Sequence, residues 1–89
     1  MKRIHLIISG HVQGVGFRYF CLEQAQSLGI SGYARNMPDG SVEIEAQGEE
    51  SAIEKFLALV RRGPRSAEVT NVEIGTAEVR WDEKLFVPR

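Results

Sequence analysis

Most of the features that would reveal a function by composition are scarce in this chain. Among 89 residues there is one cysteine, Cys21, so no intrachain disulfide can form and a reducing cytoplasm is the simplest compartment. Lysine and arginine total 11 against 12 aspartates and glutamates, for a net charge of −1 and a pI near 6.1. That balance lacks the basic excess that general binding to nucleic acid or to an acidic membrane requires. Long apolar runs are missing too: Ile4 to Ile8 is cut by His5 and closed by Ser9-Gly10, too short for a signal segment or a membrane span. Aromatic residues make up 8%, and no pair of them falls in a central strand pattern where bases could stack, which disfavours an RNA-binding module. Neither a linker nor a repeat interrupts the chain. Residues 1–89 therefore read as one small domain in which most apolar side chains are needed for the core.

What is present is a glycine loop that opens a helix and ends in an arginine: Gly10-His11-Val12-Gln13-Gly14-Val15-Gly16-Phe17-Arg18. Glycines let the backbone turn several N–H groups toward one point, and the following helix adds the positive end of its dipole. The planar fork of Arg18 can bind two oxygens of a phosphoryl group at once. The pattern is that of a local anion site in a chain with no general anion affinity.

Around the loop the apolar periodicity marks the elements. Ile4, Leu6 and Ile8 alternate, predicting a strand over 2–9; Phe17, Phe20, Cys21, Ala25 and Leu28 form one helical stripe ending at Gly29. Residues 30–36 and 41–47 read as strands joined through Pro38-Asp39-Gly40 into a hairpin. Ile53, Phe56, Leu57 and Val60 recur at helical spacing between Glu49-Glu50 and Arg61-Arg62-Gly63-Pro64. Strands over 69–77 and 84–87 complete the chain. The order β-α-β-β-α-β predicts an α+β, ferredoxin-like sandwich: an antiparallel sheet with two helices on one face and room for an extra edge strand. Trp81 and Phe86 are expected to cover a sheet edge, and Glu43, Glu45 and Gln47 to form a solvated strand face.

Several chemistries are excluded by the loop itself. A nucleotide-binding loop of the Walker type needs Gly-Lys-Ser/Thr, but Phe17 follows Gly16; a dinucleotide fingerprint needs a glycine where Tyr19 stands. Covalent phosphatase chemistry needs a nucleophile, and between Gly10 and Arg18 there is no cysteine, serine, threonine or aspartate. Direct attack by water remains. His5 and His11 show no metal-ligand spacing with a carboxylate or with Cys21, which sits on the apolar stripe as a core thiol.

At this point the chain resembles the acylphosphatase family. Ile8 through Arg18 matches its pattern of an aliphatic residue followed by Gly-x-Val-Gln-Gly-Val-x-Phe-Arg. Gly32-Tyr33-Ala34-Arg35-Asn36, with Gly40, Val42 and Gly48, matches its second pattern. The resemblance implies hydrolysis of carboxyl-phosphate mixed anhydrides to a carboxylate and inorganic phosphate, with no metal or other cofactor and a small acyl phosphate as the only partner; the lack of a spare apolar helix face favours a monomer, and the single cysteine a cytoplasmic one. It also implies that the loop Val12, Gln13, Gly14, Val15, Gly16, Phe17 and Arg18 holds the phosphoryl oxygens, and that Arg18 and Asn36 are catalytic, Asn36 positioning the water. Two positions depart from the common pattern: Gly16 stands where the family varies, and Met37 where some relatives carry a hydroxyl. Without the resemblance, Asn36 could equally be a hairpin-end residue making an Asx contact. A related accessory domain occurs at the start of large carbamoyl-transferring maturation proteins, but this chain has no zinc-finger cysteines to go with it.

Overall fold

Alternation in the first strand decides the layering. In the computed structural model, which describes residues 1–89, β1 (Lys2–His11) turns Ile4, Leu6 and Ile8 toward the helices, and all three are buried. β3 (Val42–Gly48) lies antiparallel to it with Leu6 opposite Ile44 and Ile8 opposite Val42, so the two central strands present one continuous apolar face. β2 (Ser31–Asn36) pairs antiparallel with β3, and β4 (Glu68–Thr76) pairs antiparallel with the other side of β1. The sheet runs β4-β1-β3-β2-β5, with β5 (Phe86–Pro88) at the far edge.

Helix α1 (Phe17–Leu28) links β1 to β2, and α2 (Glu50–Arg62) links β3 to β4, so two interleaved crossovers place both helices on one face. Their boundaries follow the signals in the sequence. Gly29 caps α1 with a left-handed backbone, while α2 carries Glu50 in its first turn and Arg61 and Arg62 in its last, each charge matched to the helix dipole. α1 buries Phe17, Cys21 and Ala25, and α2 buries Ile53, Phe56 and Val60, against the sheet in one cluster of 16 residues. Each large side chain so buried contributes about 1.5–3 kcal/mol before chain entropy is subtracted. Neither helix is long and apolar enough to cross a membrane.

Three expectations need correction at the C-terminal end and on the open face. The last strand lies at 86–88 rather than 84–87 and runs parallel to β2, Gly32 opposite Phe86, so the sheet is mixed. Phe86 lies in that strand along the outer edge of β2, its ring buried against Phe56 with centroids 6.0 Å apart. Trp81 is 78% exposed, because polar groups pin the segment that carries it. The carboxylate of Glu83 accepts from Arg3 at 2.7 Å, and the Arg80 amide donates to Gln47 at 2.7 Å. The row Glu43, Glu45 and Gln47 is consequently a half-buried network. Arg3, its side chain wholly enclosed, donates to Glu45 at 2.6 Å, while Glu43 accepts from Arg35 and contacts His5 Nε2 at 2.8 Å.

Candidate active site

Two buried anchors set the shape of the glycine loop. Val12 and Phe17 are each 1% exposed, so the chain enters and leaves the core within six residues and the segment between them must bulge out. Gly14 and Gly16 make that possible, with φ of 75° and 77° in the left-handed region that side chains rarely adopt. Gly16 is the N-cap of α1 and supplies no capping side chain, so no side-chain hydrogen bond caps the positive end of the helix. No backbone N–H from Val12 to Gly16 donates to a backbone carbonyl, and the first-turn amides of α1 have no carbonyl one turn earlier in the helix to receive them. These donors are unspent within the backbone.

The loop is tied to its surroundings from behind. The carboxamide of Gln13 donates to the main-chain oxygens of Met37 at 2.8 Å and Ser41 at 2.9 Å, in the turn after β2. On the other flank, Ser66 Oγ donates to the Val15 carbonyl at 2.9 Å, and the Val15 side chain packs on the core. Gln13 and Val15 thus hold the loop rather than line its concavity.

Asn36 reaches the same place from the end of β2, where it pairs with Val42. A cavity of about 200 Å³ is lined by Val12, Gly14, Gly16, Phe17, Arg18, Tyr19 and Asn36. Arg18 and Asn36, 18 residues apart in the chain, therefore line one concave site. The Asx contact that might have accounted for Asn36 belongs instead to Asp39, whose carboxylate accepts from Ser41 Oγ at 2.6 Å and from the Ser41 amide at 2.9 Å. Those two bonds, the hydroxyl first, hold the Asp39 carboxyl below its usual range. Asn36 is left exposed, with its carboxamide available to a ligand.

Arg18 projects from the first turn of α1, and its guanidinium donates to the main-chain oxygen of Arg89. The Arg89 amide in turn donates to Ala34 at 2.8 Å, and its guanidinium lies 4.1 Å from the centre of the Tyr33 ring. The strand β5 alongside β2 thereby fixes the direction of the arginine. Tyr19, 60% exposed and lining the cavity, and Gln13, as a brace, were not foreseen in these roles. A polar side chain between two residues of a tight loop is the one sign of the brace. Nothing in the motif marks Tyr19.

Chemically the site offers anion-directed N–H donors, one planar cation and one neutral amide. No three His, Cys, Asp or Glu side chains converge as metal ligands anywhere in the fold. The family model described as Acylphosphatase matches residues 4–88. The acylphosphatase of Geobacillus thermodenitrificans is 48% identical over 86 residues, covering 97% of this chain and 92% of that protein. That of Archaeoglobus fulgidus is 51% identical over 87 residues, 98% of each. Among solved structures, the crystal structure of acylphosphatase from Bacillus subtilis superposes with a TM-score of 0.95 at 34% identity, over 100% of this chain and 99% of that one.

Proposed function

This chain belongs to the acylphosphatase family and hydrolyses acyl phosphates, and from that premise we propose that the loop amides with Arg18 hold the phosphoryl group while Asn36 positions the attacking water. The observation that carries this is one cavity lined by the glycine loop, Arg18 and Asn36, with loop amides that no backbone carbonyl takes up. Transfer of a phosphoryl group passes through a loose state with charge spread over its peripheral oxygens, so catalysis is mostly orientation and charge stabilisation. Fixed N–H donors and an arginine supply both. The water oxygen bonds to phosphorus as the bond from phosphorus to the acyl oxygen breaks, and the acyl group leaves as a carboxylate.

A carboxylate leaves without needing a general acid. Asn36 does not titrate, so it orients the water through its carbonyl oxygen and takes no proton. The water's proton passes to a phosphoryl oxygen, yielding dihydrogen phosphate and the carboxylate. No metal enters this sequence of events, and we place the enzyme as a monomer in the cytoplasm, the location supported by its one buried, unpaired thiol. The test is hydrolysis of acetyl phosphate and benzoyl phosphate by the wild type, Arg18→Ala and Asn36→Ala with chelator present. Full wild-type rates in chelator and large losses in both variants are expected. Folded variants of undiminished activity would remove both residues from the mechanism, and loss of wild-type activity in chelator would require a metal.

A further inference from the structure

Beside the cradle lies a larger concavity of about 590 Å³ that the phosphoryl site does not use. It is lined by Phe20, Leu59, Pro64 and Ala67 together with Arg62 and Arg65. Phe17 stands between the groove and the cradle. Tyr19 lines the one and Phe20, the next residue of α1, lines the other; the Phe17 and Phe20 rings are 6.1 Å apart. Behind them, Ser66 bonds the segment after α2 to the Val15 carbonyl, and a Cβ at Gly63 would lie 3.1 Å from the Phe17 ring.

The two arginines are exposed and without acidic partners, since the ion pairs of the fold involve only Arg3, His5 and Arg35. Arg62 is matched to the C-terminal end of α2, but Arg65 lies beyond the helix and no such role accounts for it. A volume in this range suits a small organic group, and a lining that joins apolar side chains to two cations suits a short carbon chain that ends in a negative charge.

We propose that this groove is the acyl-group subsite, and that Arg62 and Arg65 favour acyl phosphates whose acyl group ends in a second anion. The proposal rests on the phosphoryl group lying in the cradle, so that the acyl carbon chain leaves it across Tyr19 and Phe20. Butyryl phosphate and succinyl phosphate separate the terms, being chains of equal length that end in a methyl and in a carboxylate. For the wild type, KM for succinyl phosphate should be lower than for butyryl phosphate. In Arg62→Gln/Arg65→Gln it should rise about five- to tenfold, the size expected of two exposed charges, with kcat and the butyryl KM within about twofold. About 0.5 M salt should erase the wild-type preference, because exposed charges are then largely screened.

Ala67→Leu, which narrows the groove, should raise KM for both longer substrates and leave acetyl phosphate unchanged. Circular dichroism melting confirms that the variants are folded. Equal changes for the methyl-ended and carboxylate-ended chains, or no change in either, would overturn the selection by arginine. Indifference of all substrates to Ala67→Leu would overturn the groove as a subsite. A wild type inactive on acetyl phosphate would overturn the cradle assignment as well, whereas an active one showing no preference removes the subsite alone.

Discussion

The Gln13 side chain donates to the main-chain oxygen of Met37 at 2.8 Å, and its second N–H reaches Ser41 at 2.9 Å. Through this one carboxamide the loop before α1 is fastened to the turn that follows Asn36. The phosphoryl donors and the water-orienting amide come from motifs far apart in sequence, and their relative position depends on that fastening.

Gln13→Ala is expected to separate rate from stability. Met37 O keeps its bond from the Gly40 amide and Ser41 O keeps its bond from the Met37 amide, so neither acceptor is orphaned. The loss in stability should stay near about 1 kcal/mol. Misplacement is costlier, since a shift of about 1 Å in a reacting group can reduce rate by about 100-fold. A kcat lowered by about 10- to 100-fold with a melting temperature only slightly reduced is the expected result, read by acetyl phosphate kinetics and thermal unfolding.

Arg18→Ala should lower kcat/KM by about 100- to 1,000-fold, the usual loss when one preorganised donor to the transition state is removed. Arg18→Lys restores the charge but not the two-pronged donor, nor its contact with the Arg89 carbonyl in the same pose, and should recover only part of the rate. Competitive inhibition by inorganic phosphate should weaken in parallel, which a titration of phosphate against each variant would show.

Much of the fold was legible because period and punctuation agreed. Phe17 to Leu28 was bounded by Gly16 and Gly29, and the α2 stripe by Glu50 and Arg62, so both helices fall where the pattern puts them. The parallel pairing of β5 was not legible, since a three-residue strand carries no period and its place depends on Phe86 finding Phe56 across the core. The open face misled for a different reason. Glu43, Glu45 and Gln47 alternate as a wet face would, yet the segment from Arg80 to Glu83 folds over them, a long-range contact that no local pattern encodes. In the site, Arg18 and Asn36 stood out by motif, whereas Tyr19 acquires its position only from the turn of α1 beside the cradle.

Cys21 should resist thiol reagents in the native state. Burial pushes its thiol up to about 12, so at neutral pH almost no thiolate exists, and no path from solvent reaches it. Labelling by an aromatic disulfide should be negligible at neutral pH and become complete when denaturant unfolds the chain. Rapid labelling without loss of activity would contradict the burial.

The Arg3 network should make stability depend on pH in a defined direction. Burial alone would raise the carboxyls of Glu43 and Glu45, but hydrogen bonds from His5 and Arg35 to the first, and from Arg3 to the second, outweigh it and hold both below the ordinary range. A carboxyl whose folded value lies below its unfolded one binds fewer protons when folded. Its stabilisation is therefore complete above the unfolded value, near about 4.5, and is lost as pH falls through the lowered one. Arg3→Met removes the cation and leaves Glu45 and Glu83 facing an apolar side chain, with the acceptor of Gln47 still served by the Arg80 amide. Breaking such a pair costs about 3 kcal/mol at neutral pH, because Glu45 keeps only the Tyr33 hydroxyl and Glu83 loses its guanidinium. The difference between variant and wild type should shrink as acid neutralises the Glu45 carboxylate, so urea unfolding at pH 7 and near pH 3.5 should show a larger gap at the higher pH. A gap independent of pH would mean that Arg3 stabilises the sheet by packing its stem and not by its charge.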